Sequence, residues 1–405
     1  MKKALFVLTI AVFCIIGCQR ESCIMEPIET DSQFAEPGEW YEIVNTDTLS
    51  NTFLTETYIG NKLHLGYDMV RISFLYLSGP DSIQLSGCVC WPLKADTCSE
   101  IWLENHHFTV RWDQCPTQSV MPGMLQASLR RAVYISADYQ GLGLSKGMNH
   151  PYLNTPLIAR QCIDCLKAAK KVLKDMGLIL DKDFHTYNIG YSLGGAVSLG
   201  IAKEIESDTK LQDIVHLKKS FCGGGPYDQI ALFHKYLSEP DEPLEYPIEF
   251  LCGIYTILQS NKLFAKVFNE QDLLSDNLYH SGIIQLLETK EYTAPQLCRI
   301  MQEKGFATLS SIISPDMIDT GSTMHKAFLR ELEQFDLTTG WSPRIPVLFY
   351  HSRSDMTVPS ECLESVITHM PDNPCIEFMF VDSSDHYQTG NLFYTNLVYG
   401  LFKLD

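Results

Sequence analysis

Ser192 sits in the stretch YNIGYSLGGAVSLG, with Gly190 two residues before it and Gly194 and Gly195 just after. Gly-x-Ser-x-Gly between a strand and a helix makes a turn tight enough to hold a serine hydroxyl out as a nucleophile. By chance, the bare pattern arises in roughly one chain in ten of this size, so its surroundings decide. A serine hydroxyl is a poor nucleophile alone; it needs a base, and the base needs an acid to orient it. Asp355 stands in VLFYHSRSDMTVP, just past an apolar run, with Val358 and Pro359 closing the loop. Two histidines follow it. His369 lies in SECLESVITHM, which reads as an amphipathic helix, and is given a surface or packing place. His386 follows the apolar run CIEFMFVD, in the loop SSDHYQTG, and is assigned as the base. Asp382 and Asp385 compete with Asp355 as the acid, but neighbours in one short loop seldom converge on one imidazole. Both read as solvated turn residues. The backbone N–H of Leu193, directly after Ser192, is the first donor for the oxyanion that attack on a carbonyl creates.

These groups need elements in a fixed order to carry them. Residues 66–93 read as two extended runs around a Ser-Gly-Pro-Asp turn, and EIWLENHHFTV and RAVYISADYQGLG as further short strands. Over about 155–177, TPLIARQCIDCLKAAKKVLKDMGL has apolar residues at helical spacing. DFHTYNIGY is then a strand ending at Ser192, and LGGAVSLGIAKEIESD a helix with Ala196, Leu199, Ile201 and Ala202 on one side. The small residues beside Ser192 let this helix approach the strand. IVHLKKSFCGG, IPVLFYHS and CIEFMFVD supply further strands. Strands alternating with helices imply the α/β class, with a mainly parallel sheet covered by helices on both faces. Between the first two of these last strands lie more than 100 residues, 226–340, rich in helical periodicity. That insertion reads as a helical lid. Its apolar residues Phe250, Leu251, Ile254, Tyr255, Ile257, Leu258, Phe264 and Phe268 either wall an acyl pocket or close the lid's own core.

Lys2 and Lys3 precede an apolar run, 4–16, that is too short to span a bilayer, so residues 1–17 read as a signal peptide. Residues 18–38 are polar enough for a tether, which leaves 39–405 as the folded region. Loss of the two lysines takes the formal charge from −18 to −20. With no Lys/Arg stripe to offset it, that charge argues against nucleic acid as a partner. Cys162-x-x-Cys165 has the spacing of a redox or zinc motif but lies within the helical run, so both thiols are expected in the core. Cys88 and Cys90 alternate along a strand and read the same way. His106 and His107 are adjacent, yet no H-E-x-x-H or carboxylate cluster accompanies them. Gly141-x-Gly143 is followed by Lys146, not by the third glycine of a dinucleotide-binding turn. Neither a metal nor a cofactor is expected.

Ile15-Ile16-Gly17-Cys18 resembles the lipobox of bacterial lipoproteins. The resemblance implies cleavage before Cys18 and acylation of its thiol and new amino terminus. Two or more acyl chains hold a protein stably on a membrane, here one of the bacterial cell envelope; an ordinary secretory signal is the alternative. VLFYHSRSDMTVP resembles the H-G-x-x-D-x-x-V-P acid loop of many α/β-hydrolases, with Ser352 where glycine is usual. If His106 holds the place of the histidine in the H-G motif of that fold, the N–H of His107 is the second oxyanion donor, although the usual glycine is absent. With ADYQGLG (137–143) and GGGPYDQ at the start of the insertion, the chain is similar to the secretory-lipase (lipase A-like) branch of the α/β-hydrolases over most of residues 66–400. The resemblance implies the α/β-hydrolase fold under a large helical cap. It also implies hydrolysis of a small-molecule, lipid or glycan carboxylic ester by Ser192, Asp355 and His386. Asp138 and Tyr139 would stabilise the loop beside the site. A prolyl-oligopeptidase-like peptidase is a rival, but the stretch before residue 66 is too short for the usual extra N-terminal domain. An acetyl esterase acting on glycans is another. A non-catalytic binding lipoprotein on a hydrolase scaffold is a third, and the intact Ser–Asp–His order argues against it.

Overall fold

The computed structural model describes residues 36–260, 270–382 and 384–404, and for 255–260 and 270 the backbone. Cys18, the signal segment and most of the 18–38 stretch lie outside the described residues. Nine strands form one sheet: β1 (Tyr41–Leu49), β2 (Met69–Ser78), β3 (Ile83–Pro92), β4 (Thr97–Asn105), β5 (Val133–Ala137), β6 (Ile179–Tyr191), β7 (Leu217–Gly223), β8 (Val347–Ser352) and β9 (Ile376–Val381). Their order is β1-β2-β3-β5-β4-β6-β7-β8-β9. From β5 to β9 all neighbours are parallel, as the alternation of strands and helices predicts, and β1, β2, β3 and β5 pair antiparallel. The inner strands VYISA and VLFYHS are buried at every position, as near-continuous apolar runs covered on both faces must be.

The ladder brings the strand ends together. Asn105 is level with Gly190, Gly190 with Cys222, and Gly223 with Tyr350. The loops that leave β4, β6, β7 and β8 therefore emerge side by side at the carboxyl edge, where open α/β sheets hold their ligands.

The helices are α1 (Asn51–Ile59), α2 (Pro122–Arg130), α3 (Thr155–Asp175), α4 (Leu193–Ser207) and α5 (Thr209–Val215) before β7. Cys162 and Cys165 are buried on α3, and Cys88 and Cys90 on β3, as expected. All eleven cysteines among the described residues are free.

Between β7 and β8 come α6 (Gln229–Ser238), α7 (Pro247–Ser260), α8 (Glu270–Leu273), α9 (Asp276–Tyr279), α10 (Ile283–Thr289), α11 (Ala294–Glu303), α12 (Leu309–Ile312), α13 (Pro315–Ile318) and α14 (Thr323–Leu332). Their short lengths are set by caps written in the sequence. Ser275, Thr293, Thr308 and Ser322 each accept a first-turn N–H, satisfying a donor the helix itself cannot. Leu251, Ile254, Phe328 and Leu332 of this insertion belong to one continuous core with residues of α3, α4 and the sheet. The chain ends with α15 (Glu361–His369), β9 and α16 (His386–Val398). Among the described residues no helix is long and apolar enough to cross a membrane.

Candidate active site

Ser192 joins β6 to α4 with φ 59° and ψ −128°. A non-glycine residue held there costs about 1–3 kcal/mol, so its surroundings must over-determine it. They do. The N–H of Ser192 donates to Gly223 O at 2.9 Å, while its own carbonyl accepts from Gly195 N (2.8 Å) and Ala196 N (3.3 Å). The neighbouring glycines answer to close approach. A Cβ on Gly190 would stand 2.1 Å from Gly194 O, one on Gly194 2.0 Å from Asn105 O, and one on Gly195 2.3 Å from Gly223 O. Beneath the turn, Asn105 Nδ2 donates to Asn188 Oδ1 (2.7 Å) and Ser198 Oγ (2.9 Å), tying β4 to β6 and α4.

Asp355 lies past the end of β8 with its side chain fully buried. Its Oδ1 accepts from Thr357 N (3.0 Å) and Val358 N (2.8 Å), which fixes the carboxylate plane. The Oδ2 receives His386 Nδ1 at 2.6 Å. His386 is the first residue of α16 and not a loop residue, because Asp385 caps that helix by accepting from Gln388 N at 2.8 Å. The Tyr191 hydroxyl donates to His386 O at 2.7 Å and so pins the backbone of the imidazole. Burial works against an imidazolium here. The hydrogen bond and charge of Asp355, joined by Glu249 and Glu245, outweigh it and hold His386 above the ordinary histidine value.

His386 Nε2 is buried and has no hydrogen-bond partner among the described residues, Ser192 Oγ included. It shares with Ser192 a cleft of about 200 Å³ that His107, Phe108, Tyr191, Glu249 and Tyr387 also line. The structure thus brings Ser192, Asp355, His386 and His107 to one place. Leu193 opens α4, where a helix N–H has no intrahelical acceptor. The ring of His106 is turned inward, between the carbonyls of Asp138 (3.2 Å) and His107 (2.8 Å), and stacks on Tyr139 at 3.9 Å. Asp138 is buried and accepts from Ser86 Oγ, Thr117 Oγ1 and Thr117 N, joining β3 to the loop after β4.

The rival acids stand elsewhere. Asp382 is 80% exposed, 3.6 Å from Arg353, and Asp385 is the helix cap. His369, exposed at the end of α15, meets Thr338 and Ser365 hydroxyls at 3.2 Å. Among the described residues no group of three or more His, Cys, Asp or Glu could hold a metal ion.

Glu249 is the site residue that the sequence reading missed. It lies in the first turn of α7 and lines the cleft beside Ser192 and His386. Burial pushes its carboxyl up to about 7, with His386 acting the other way and Asp355 adding to the rise. The available signal was a lone acid in the apolar run PIEFLCG. On the insertion side of Glu249, Phe250 and Ile254 line a second cavity of about 50 Å³ with Phe233, Phe328 and Leu332, whereas Leu251 is wholly buried in the core. Phe264 and Phe268 lie outside the described residues, as do the side chains of Tyr255, Ile257 and Leu258.

No protein-family model matches the chain, and no curated protein matches it in sequence. Solved structures do. The rice cell wall degrading esterase LipA from Xanthomonas oryzae superposes with a TM-score of 0.70 at 18% identity, over 88% of this chain and 96% of its own. Candida antarctica lipase A in its closed state gives 0.61 at 11% identity, over 91% and 84%. A mainly parallel sheet, a strained serine between β6 and α4, and these likenesses agree: the chain has the α/β-hydrolase fold.

Proposed function

We propose that this protein is a serine carboxylic-ester hydrolase, an esterase or lipase, held on a membrane of the bacterial cell envelope by acylated Cys18. One observation carries the catalytic reading. The imidazole that donates from Nδ1 to Asp355 Oδ2 at 2.6 Å leaves Nε2 unpaired on the cleft that holds Ser192. Ser192 Oγ attacks the ester carbonyl carbon as His386 Nε2 takes its proton, and Asp355 offsets the transient imidazolium. The oxyanion is received by the N–H groups of Leu193 and His107. Collapse breaks the bond to the alcohol oxygen, which leaves with the proton from His386. Water, deprotonated by the same nitrogen, then hydrolyses the acyl-enzyme. A catalytic hydrogen bond that is open without substrate commonly tightens in the reacting complex.

The insertion acts as the lid and lends apolar walls to the acyl group. Sharing a fold with an esterase and a lipase supports esters over peptide amides. Each well-fitted methylene removed from water is worth about 0.8 kcal/mol, or roughly fourfold in kcat/KM until the space is filled. The test is a fluorophosphonate probe together with a p-nitrophenyl ester series on the detergent-solubilised protein. Labelling that depends on Ser192, and turnover rising from acetate to butyrate, are expected. A protein that neither labels nor turns over any ester would be a binding lipoprotein instead. A steep fall from acetate to butyrate would make it an acetyl esterase.

A further inference from the structure

Glu249 stands in the wall between two spaces. On one side is the cleft with Ser192, His386 and Tyr387; on the other is the cavity walled by Phe233, Phe250, Ile254, Phe328 and Leu332. Glu249 lines both. An acid in the first turn of a helix is ordinary on a surface, because the helix N-terminus favours negative charge. This one is half-buried and lines the two cavities. The Tyr152 hydroxyl donates to its Oε2 across 3.5 Å, a long hydrogen bond and a weak substitute for lost water.

We propose that Glu249 selects acyl length: as a neutral carboxyl it lets an apolar chain seated at Ser192 run on into the phenylalanine-lined cavity, and as a carboxylate it bars that path. The inference rests on the ester-hydrolase reading. An apolar chain laid against Glu249 strips its water without giving a hydrogen bond. That loss is far more costly for a carboxylate than for a carboxyl. The seated chain therefore favours the protonated form. Passage is open below the Glu249 pKa and closes as pH rises through about 7, the value to which burial pushes the group.

The other groups around Glu249 do not blur this. Asp355, Glu245 and His386 are the charged or chargeable neighbours, and Glu245 is occupied by the Thr357 hydroxyl at 2.6 Å. Burial foremost holds the phenols of Tyr152, Tyr236, Tyr246 and Tyr387 above their ordinary values. It does the same for the thiols of Cys252 and Cys298. These stay neutral through the working range. His386 must be unprotonated for every ester alike, so its titration cancels in a ratio of two substrates.

The experiment is that ratio. For the full-length protein in detergent, kcat/KM for p-nitrophenyl hexanoate is divided by that for the acetate, from about pH 6 to about pH 8.5. A seated chain that makes the carboxyl ten times harder to ionise lowers the ratio by up to about tenfold. A fall of about fivefold or more is expected for the wild type, and a flat ratio for Glu249→Gln, whose amide does not titrate. A flat wild-type ratio, or a fall that survives in a folded Glu249→Gln, overturns the proposal. If the variant is not recovered folded, the wild-type ratio alone decides. Fluorophosphonate labelling separates the two readings. A protein that neither labels nor hydrolyses esters loses both, whereas one that hydrolyses esters with a flat ratio loses only the role of Glu249.

Discussion

Replacing Asp355 by asparagine removes one charge and almost no volume, and the surrounding hydrogen bonds dictate which way the amide turns. The Oδ1 position accepts two backbone N–H groups, Thr357 at 3.0 Å and Val358 at 2.8 Å. Turning the NH₂ toward them would break both bonds and set donor against donor in a buried place, at about 1–3 kcal/mol for each unsatisfied group. The amide oxygen therefore stays with the backbone, and the NH₂ faces His386 Nδ1 across 2.6 Å. Two N–H groups cannot share that gap. The imidazole must present its lone pair at Nδ1 and carry its proton on Nε2, the nitrogen that faces the cleft. A protonated Nε2 cannot take the proton of Ser192. The same tautomer error in a Ser-His-Asp triad lowers kcat about 10⁴-fold, or about 5.5 kcal/mol of barrier. The expected result for Asp355→Asn is a fall of that order in kcat on p-nitrophenyl butyrate, with KM nearly unchanged and the fold intact by circular dichroism. Asp382→Asn should do little, since that side chain is 80% exposed. Asp385→Asn should also do little, because asparagine caps a helix as well as aspartate does. A loss below about tenfold for Asp355→Asn, or equal damage from either of the other two, would refute the tautomer argument.

Ser192→Ala and His386→Ala should each lower kcat by about 10⁴ to 10⁶ in folded protein; near wild-type turnover would remove that residue from the mechanism. Gly194→Ala sets a Cβ 2.0 Å from the backbone oxygen of Asn105, an atom that the β4–β6 ladder prevents from retreating. Overpacking of this kind costs about 1–3 kcal/mol or more, read as a lower denaturant midpoint. An unchanged midpoint would mean that the turn is looser than described. Cys18→Ala should leave the precursor uncleaved by the lipoprotein peptidase and unlabelled by a fatty-acid probe, and equal labelling of mutant and wild type would end the anchor reading.

The parts of this site that could be read from the sequence are those whose signals are local. Ser192 announces itself because three glycines must sit where three backbone oxygens crowd them. Asp355 and His386 could be placed because each directly follows an apolar strand, and parallel strands deliver their ends to one edge. That His386 opens a helix and does not lie in a loop was missed, although Asp385 and the Gln388 three residues on form an N-cap pattern. β1 and α1 gave no such sign. YEIVNTDTL is an edge strand with little buried surface, and NTFLTETYI has no strong apolar stripe, so tertiary contact decides both. Glu249 was hidden for a different reason. Nothing within PIEFLCG tells that this turn of helix is laid over a cleft built by residues 57 and 137 positions away, Ser192 and His386.

The two kinds of residue also divide the work in space. Ser192, Asp355 and the loop of His107 hang from strand ends whose levels are fixed by the ladder from Asn105 through Gly190 and Cys222 to the β8 strand. His386 gains the same rigidity from a helix start whose carbonyl is held by Tyr191, itself the last residue of β6. A helix N-terminus disfavours an imidazolium by position, yet His386 is held above the ordinary value. The carboxylates outweigh burial, with Asp355 first among them. Glu249, by contrast, comes from the insertion and touches the cleft from the side of the cavity. Changes on the sheet side should therefore act on kcat for all esters equally. Changes on the insertion side should act on the ratio between esters, and that asymmetry is what separates a group that reacts from one that chooses.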